Sequence, residues 1–323
     1  MAYRIIVRRT GGPEVLEVEE FDPPAPGANE VLIEQRAVGL NFIDIYQRTG
    51  LYPMELPATP GGEAAGVVAA AGEGAGWSVG DRVGYPAAPG GAYASHCIMP
   101  ADRLVRLPGS LGFEEAAAIL LKGCTVEMLA ERCAPVERDD WVLVHAAAGG
   151  VGSILVPWLA AIGARVIAHA GTDAKAAQAK EAGAEAALSC PFDALAEEVK
   201  RVTGGAGVRV AFDGVGKASW SASLASLARR GLMVSFGNAS GPVDPISPLA
   251  LSRGGSLYLT RPTLFDYIRT GDELAASAAR LFEMVERGVV KPAIGQRFPL
   301  REAAEAQRRV EARETTGSTV LLP

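Results

Sequence analysis

A glycine-rich segment near the middle of the chain carries the strongest chemical signal in this sequence. Ala147, Gly149 and Gly152 occupy the three positions of a G-x-G-x-x-G pattern, with alanine in place of the first glycine. An apolar run typical of a strand, Trp141–His145, precedes them, and an apolar run typical of a helix follows. Glycines in such a turn let the backbone approach a pyrophosphate, and the helix N-terminus supplies N–H groups. We therefore predict a dinucleotide site here; a tight turn without a ligand is the alternative.

The end of the next predicted strand chooses between the two nicotinamide dinucleotides. An acidic residue at that point would hold the ribose 2′-hydroxyl of NAD, but Gly171 stands near its position and no carboxylate ends the strand. We expect Asp173 to cap the N-terminus of the following helix. Lys175 lies one turn into that helix. A lysine within reach of the ribose favours a 2′-phosphate and hence NADPH; a solvated cation on a helix surface is the alternative.

Two different rhythms of apolar residues surround these positions. Between about residues 119 and 262, strands alternate with stretches long enough for helices, which predicts a doubly wound parallel sheet. Its candidate strands are 141–145, 165–169, 186–189, 208–212, 232–236 and 257–260. Residues 1 to about 118 instead show short runs broken by glycine and proline, including the turn Pro89-Gly90-Gly91, which predicts a mostly β unit. Its candidate strands are 3–7, 15–18, 31–38, 65–71, 82–85, 92–99 and 103–107.

The C-terminal segment has a third pattern and is predicted to return to the N-terminal unit. Leu274, Ala278, Leu281, Phe282 and Val285 recur at helical spacing. A second helix is predicted from residue 301 to about 311, and a final strand over 318–322. The chain is therefore expected to form two domains, one of them discontinuous.

Composition excludes several classes of function. The 323 residues carry 31 Lys and Arg against 37 Asp and Glu, a net charge of −6, whereas nucleic-acid binders are usually basic. Four scattered cysteines without C-x-x-C spacing argue against a disulfide framework and fit a reducing compartment, so we expect a cytoplasmic protein. The uncharged stretch 141–164 is long enough to span a bilayer, but its glycines and Pro157 favour a strand, a turn and a packed helix.

The chain resembles the medium-chain dehydrogenase/reductase superfamily, and within it the zinc-free quinone oxidoreductases of the NADPH:quinone reductase and zeta-crystallin group. The resemblance covers essentially the whole chain and rests on segments 11–16, 39–44, 48–53, 61–66, 80–83, 121–123, 145–152 and 230–238. It implies an α/β fold with a Rossmann-type doubly wound parallel sheet and a GroES-like, mostly β catalytic domain. The catalytic domain would comprise residues 1–118 completed by 265–323, and the NADPH-binding domain residues 119–264. It also implies a homodimer that pairs edge strands around residues 257–260.

Zinc-dependent relatives carry a cysteine and a histidine as catalytic ligands in the first domain, and this chain departs from that pattern. Asn41 stands at the cysteine position and Gly62 at the histidine position. Cys124 alone cannot hold a catalytic zinc, which needs about three protein ligands, and His96 and Cys97 would point to opposite faces of a strand. We therefore expect no metal. Quinones and enones are already electrophilic, so the missing ligands favour reduction of a conjugated carbonyl over oxidation of an alcohol.

The resemblance also assigns candidate site residues. Asn41, Tyr46, Tyr52 and Lys122 are the candidates for contacts with the quinone or nicotinamide; a turn residue, packed aromatic rings and an interdomain ion pair are the respective alternatives. Arg313 matches a family arginine that approaches the 2′-phosphate, and Cys190 stands where many relatives have a tyrosine near adenine. The cofactor-binding candidates are Asn41, Phe42, Asp44, Tyr46, Thr125, Gly149, Gly150, Val151, Gly152, Gly171, Thr172, Lys175, Cys190, Gly214, Phe236, Gly237, Asn238, Pro262, Thr263, Leu264 and Arg313.

Three functional hypotheses follow from these residues. The first is an NADPH-dependent quinone reductase that acts on a small-molecule quinone without metal. The second is an NADPH-dependent reductase of α,β-unsaturated carbonyls, which needs the same hydride geometry. The third is an NADPH-binding protein with little turnover. Neither a nucleic-acid nor a membrane partner is expected.

Overall fold

The described residues of a computed structural model, 1–86 and 90–323, form a mixed α/β structure; Pro89 of the predicted turn lies outside them. The strands are β1 (Tyr3–Val7), β2 (Leu16–Glu20), β3 (Glu30–Leu40), β4 (Ala64–Ala71), β5 (Arg82–Tyr85), β6 (His96–Pro100), β7 (Val105–Arg106), β8 (Trp141–His145), β9 (Arg165–His169), β10 (Ala186–Leu188), β11 (Val208–Asp213), β12 (Leu227–Ser235), β13 (Tyr258–Thr260), β14 (Ile294–Pro299) and β15 (Ser318–Leu322). The helices are α1 (Phe42–Thr49), α2 (Phe113–Glu127), α3 (Gly152–Ile162), α4 (Asp173–Glu181), α5 (Phe192–Val202), α6 (Trp220–Ser226), α7 (Pro248–Arg253), α8 (Leu264–Tyr267), α9 (Gly271–Glu286) and α10 (Ala303–Glu311).

The chain divides into two structural units. The first comprises Met1–Cys124, Ile268–Phe282 and Pro292–Pro323; the second comprises Thr125–Tyr267 and Glu283–Lys291. No helix among the described residues is both long and apolar enough to cross a membrane.

The first unit is built on a mostly antiparallel seven-stranded sheet. Its order is β14-β15-β3-β4-β5-β7, with β6 paired to the long strand β3, and β1 and β2 form a separate hairpin. Alternating apolar residues of these strands, such as Val31 and Ile33, pack with Leu300, Ala306 and Val310 from the C-terminal segment into one core. This packing explains why residues far apart in the sequence belong to one unit.

In the first unit, two predicted strands are too long and one strand was not predicted. The strand expected over 103–107 spans only Val105–Arg106, because Ala101–Arg103 form a 3₁₀ turn. The strand expected over 92–99 begins only at His96, because residues 92–95 bond to several separate segments instead of one partner strand. The side-chain amide of Gln35, for example, donates to the backbone carbonyls of Ala92 and Ala94 at 3.0 and 2.7 Å. Strand β14 was not predicted, since glycine and proline interrupt its apolar pattern.

The second unit confirms the predicted doubly wound parallel sheet. Its strand order is β10-β9-β8-β11-β12-β13, and all neighbouring strands are parallel. The chain runs outward from β8 to β10 on one side and from β11 to β13 on the other. The topological switch point, where such sheets bind ligands, therefore lies between the carboxyl ends of β8 and β11. Strand β12 starts at Leu227, earlier than predicted, because it continues across an irregularity at Arg230, whose φ is +63°.

Candidate nucleotide site and candidate active site

The glycine turn joins β8 to α3 and has the shape that a pyrophosphate requires. A Cβ on Gly152 would lie 2.4 Å from the carbonyl oxygen of Ala146, and one on Gly149 would lie 3.0 Å from the same oxygen. Within the described residues, the amides of Gly150 and Val151 donate to no other backbone group. The turn thus presents backbone N–H groups at the start of a helix, where an anion is favoured.

The end of β9 corrects one prediction. Thr172, not Asp173, is the residue that caps α4: its extended backbone places the hydroxyl to accept from the Lys175 amide at 3.3 Å. The Asp173 carboxylate instead accepts a hydrogen bond from the hydroxyl of Ser189. Lys175 is half-buried in the first turn of α4, and Gly171 is exposed with open space where a Cβ would lie. The chain therefore has room beside a first turn that carries one lysine and one aspartate.

The loops after β11 and β12 are fastened to each other at the same edge of the sheet. A Cβ on Gly237 would lie 2.3 Å from the carbonyl oxygen of Gly214, so both loops approach closely only because residue 237 is glycine. The Arg261 guanidinium donates to the carbonyls of Ser235 and Gly237, each at 3.0 Å. These bonds hold the backbone of the predicted positions Phe236–Asn238 against the end of β13, which Arg261 follows.

The first unit gathers its candidate residues around a carboxylate that the sequence analysis missed. Glu63 is fully buried and accepts hydrogen bonds from the Asn41 side-chain amide at 2.8 Å and the Leu121 backbone amide at 2.7 Å. The Lys122 ammonium lies 3.4 Å from the same oxygen that Asn41 contacts. The ion pair of Lys122 is therefore made within its own unit. Glu63 directly follows Gly62, which stands at the position of the zinc-ligand histidine in zinc-dependent relatives. This neighbourhood was the only feature of the sequence that could have marked Glu63 as a site residue.

Asp44 extends this polar cluster on the other side of Asn41. Its Oδ2 accepts from the Asn41 backbone amide at 2.9 Å and from the Tyr93 hydroxyl at 3.0 Å. Its Oδ1 is buried without a hydrogen-bond partner among the described residues. Burial raises the pKa of Asp44 to about 7, although the bonds from Asn41 and Tyr93 act in the opposite direction.

Three aromatic rings belong to α1, which follows Asn41, and to the loop after it. The ring centroids of Phe42 and Tyr46 are 5.9 Å apart, and those of Tyr46 and Tyr52 are 5.2 Å apart. The Tyr52 backbone amide donates to the Tyr46 carbonyl at 3.0 Å, which holds the loop after α1 against the helix. The structure thus brings Tyr52 beside the other candidates, with the packing contacts that the alternative interpretation predicted.

The remaining candidates occupy separate places in the two units. Thr125 is half-buried in α2, and Cys190 is half-buried just after β10. Pro262 and Thr263 lead into α8, which begins at the buried Leu264. Arg313 belongs to the first unit, where it follows α10 with a φ of +59°.

The described residues contain no group of three His, Cys, Asp or Glu side chains that could hold a metal ion. In β6, Cys97 is buried and His96 half-buried, which agrees with the predicted alternation of faces. Burial also raises the pKa of the Cys97 thiol to about 12, so it is a poor source of thiolate.

Comparison with known proteins places the fold in a class. Residues 27–109 match the family described as alcohol dehydrogenase GroES-like domain, and residues 150–283 match the family described as zinc-binding dehydrogenase. Together these two domains define a medium-chain dehydrogenase/reductase.

Full-length relatives narrow that class. The quinone oxidoreductase of Salmonella typhimurium is 47% identical, and quinone oxidoreductase 1 of Escherichia coli is 45% identical; each alignment covers 100% of both chains. The crystal structure of E. coli quinone oxidoreductase complexed with NADPH superposes with a TM-score of 0.97, covering 99% of this chain and 100% of that one. The chain belongs to the quinone oxidoreductase family of the medium-chain dehydrogenase/reductase superfamily. A 2-haloacrylate reductase from Burkholderia is also similar, at 38% identity over 100% of this chain and 99% of that protein.

Proposed function

We propose that this protein catalyses NADPH-dependent reduction of quinones by hydride transfer without a metal ion. The observation that carries the proposal is the glycine turn between β8 and α3, in a chain 45–47% identical throughout to quinone oxidoreductases. Two similar structures, from E. coli and a mycobacterium, were solved in complex with NADPH.

The second unit offers groups for two parts of this cofactor. The backbone amides of Gly150 and Val151 would bind the pyrophosphate, and Thr172 and Lys175 would bind the adenosine phosphate. The other positions proposed to contact it are Asn41, Phe42, Asp44, Tyr46, Thr125, Cys190, Gly214, Phe236, Gly237, Asn238, Pro262, Thr263, Leu264 and Arg313. When bound, NADPH supplies the hydride.

In the first unit, Asn41 and Lys122 supply the hydrogen-bond donors that a quinone oxygen needs as negative charge develops. Glu63 orients both, because the same carboxylate oxygen, Oε2, accepts from the Asn41 side-chain amide and lies 3.4 Å from the Lys122 nitrogen. An ammonium has three N–H groups, so Lys122 can serve Glu63 and a substrate oxygen together. The Asn41 amide has two, and its nitrogen also lies 3.5 Å from the Gly39 carbonyl oxygen, so a substrate oxygen would replace that long contact. Preoriented donors of this kind stabilise charge in the transition state.

The aromatic rings of Phe42, Tyr46 and Tyr52 form the surface against which a planar quinone would bind. Aromatic pairs prefer tilted or offset contacts with centroids 4.5–7 Å apart, and they add favourable energy beyond burial. Tyr52 is half-buried, so part of its ring faces solvent. We propose that Tyr52 contacts the substrate and that Tyr46 holds the Tyr52 ring in place.

Reduction of α,β-unsaturated carbonyls is the second candidate. The similarity to a 2-haloacrylate reductase favours it, with a structure that superposes at a TM-score of 0.87. The same donors and rings would serve an enone, since hydride attack on a conjugated carbonyl also places negative charge on an oxygen.

One assay separates these functions. NADPH absorbance is followed with a 1,4-quinone, a 2-alkenal and a primary alcohol in parallel, without added metal. Turnover of the quinone supports the proposal, and turnover of the alkenal alone favours the second candidate. Tight NADPH binding with no turnover would indicate a binding protein. Tyr52→Phe serves as the matched control for Tyr52→Ala, because it keeps the ring; we expect only the alanine variant to raise the KM for quinone.

We propose that residues 119–264 form the NADPH-binding domain and that residues 1–118 with 265–323 form the catalytic domain. We also propose a homodimer that pairs through β13, the outer strand of the six-stranded sheet. Tyr258 and Leu259 on this strand are 61% and 36% exposed, and an exposed apolar edge otherwise promotes aggregation. None of the four cysteines forms a disulfide within the described residues, which supports a reducing compartment such as the cytoplasm.

A further inference from the structure

Two buried histidines in the second unit contact each other at the ligand-binding edge of the sheet. His145 ends β8 and His169 ends β9, and the two residues are partners in the register of these neighbouring strands. Their Nδ1 atoms are 3.3 Å apart, and the ring of Phe192 packs against both imidazoles. The glycine turn follows one of these histidines and Gly171 follows the other, so the pair lies between the two ends of the candidate nucleotide site.

The pair is the middle of a longer hydrogen-bond chain. On one side, His145 Nε2 lies 2.8 Å from the Ser223 hydroxyl, which lies 2.6 Å from Oδ2 of Asp213. On the other side, His169 Nε2 lies 2.9 Å from the carbonyl oxygen of Cys190. Oδ1 of Asp213 accepts two backbone amides, and Oδ2 also accepts from the Ser219 hydroxyl. Both oxygens of Asp213 therefore accept hydrogen bonds.

This chain lacks one proton when both imidazoles are neutral. It contains four contacts, from Asp213 to Ser223, to His145, to His169 and to the Cys190 carbonyl, and each needs one hydrogen. The serine hydroxyl and the two neutral imidazoles supply three hydrogens, and an ionised carboxylate supplies none. A fourth proton, on either imidazole, would complete every contact and would balance the charge of Asp213.

Burial opposes that fourth proton in the free protein. Desolvation lowers the pKa of His145 to about 4 and lowers the pKa of His169 as well, against the attraction of Asp213. The other titratable groups near this end of the chain are the Cys190 thiol, Asp193 and Glu198 on α5, which act on Cys190, and Asp173 and Lys175 on α4. The Asp173 carboxylate accepts from the hydroxyl of Ser189, the residue before Cys190. An additional negative charge beside His169 would favour the imidazolium.

We infer that His169 and His145 are positioning residues for the phosphate-bearing adenosine end of the cofactor, and that the chain from Asp213 to Cys190 takes up one proton from solvent when that anion binds. The inference rests on the proposed function, since it requires NADPH. His169 is two residues before Gly171 and three before Thr172, and its ring fixes the carbonyl of Cys190, another candidate for contact with adenosine. The proton adds positive charge where the 2′-phosphate is expected, and no covalent bond forms or breaks.

Nuclear magnetic resonance of ¹⁵N-labelled imidazoles tests the proton count directly, because the chain has three histidines, His96, His145 and His169. The native full-length protein is compared at pH 7.5 free, with NADH, and with NADPH. We expect two neutral imidazole signals from the buried pair in the free protein and with NADH, and one imidazolium signal when NADPH is bound. Neutral rings at saturating NADPH would overturn the inference.

Calorimetry in two buffers of different ionisation enthalpy measures the protons taken up on binding. We expect NADPH to take up more protons than NADH, and His169→Asn to abolish the difference, because asparagine can donate to the Cys190 carbonyl but cannot gain a proton. The same variant should flatten the pH dependence of the NADPH Kd between pH 6 and 8. His96→Asn is the matched control, since His96 lies in the first unit and bonds to Ser95, and it should behave as native.

Unchanged proton uptake in His169→Asn would overturn the inference while leaving the proposed function intact. Failure of the native protein to bind NADPH would overturn both. A structural role of His169 alone would weaken NADH and NADPH equally at every pH, and that result would also contradict the inference.

Discussion

Replacing Asp44 by asparagine should remove a pH-dependent penalty from the folded protein. Asp44 is fully buried, its Oδ1 has no hydrogen-bond partner in the part of the chain that the structure describes, and its pKa is about 7 against an ordinary value of 3.8. An acid with a raised folded-state pKa keeps its proton in the folded protein after the unfolded chain has lost it. Stability therefore falls as pH rises from about 4 to about 7.

The magnitude follows from the two pKa values. Each unit of pKa difference corresponds to about 1.36 kcal/mol, so full ionisation of Asp44 disfavours the folded state by about 4 kcal/mol. Between pH 5 and pH 8, linkage gives a loss of about 2.5 kcal/mol from this group alone. Asp44→Asn keeps an oxygen to accept from Asn41 and Tyr93, and it carries no charge at any pH. The difference in unfolding free energy between variant and native protein should thus rise by about 2.5 kcal/mol across this range.

Urea unfolding at half-unit steps from pH 5 to pH 8, followed by tryptophan fluorescence, measures this difference. The matched control is Asp81→Asn, because hydrogen bonds from Arg106 lower the pKa of the half-buried Asp81. For that variant the difference should not rise with pH. Parallel pH profiles for native protein and Asp44→Asn would refute the reasoning that Asp44 is held in a proton-retaining environment.

Three further results are expected. Lys175→Ala should weaken NADPH about tenfold, the value of one charge-assisted contact, and change the Kd of NADH less than twofold; fluorescence titration with both nucleotides checks this, and equal losses would remove the basis for assigning the 2′-phosphate to Lys175. Gly152→Ala should weaken both nucleotides about tenfold or more, because its Cβ would lie 2.4 Å from the carbonyl oxygen of Ala146; unchanged titrations would mean that the turn does not bind the pyrophosphate. Tyr258→Lys should convert the proposed dimer to a monomer in analytical ultracentrifugation, and a variant that sediments like the native protein would exclude β13 as the interface.

The sequence was sufficient to predict the architecture of the second unit. Strands β8 and β9 begin and end at the predicted residues, because a fully buried parallel strand is a short apolar run with sharp ends. The glycine turn was equally clear in the sequence. The structure gives the reason for its glycine at position 152, where a Cβ would overlap the carbonyl oxygen of Ala146. Asp173 was misassigned because a threonine and an aspartate at adjacent positions are both good caps, and the backbone conformation of Thr172 decides between them.

The polar networks could not be predicted, because they join residues that are distant in the sequence. Glu63 and Lys122 are 59 residues apart, and Ser223 lies 78 residues from His145. No local pattern marks Glu63 as the partner of Asn41, and buried histidines are usually assigned to packing. Their significance comes from distances at the edge of a folded sheet, which composition and periodicity do not contain.

Reduction of a quinone by bound NADPH and this chain's own side chains should need no metal ion. The most direct test is the rate of NADPH oxidation with a 1,4-quinone before and after treatment with a strong chelator, with the metal content of the same samples measured by mass spectrometry. We expect equal rates at a metal content far below one ion per chain. A rate that falls with the metal content and returns when zinc is added would contradict it.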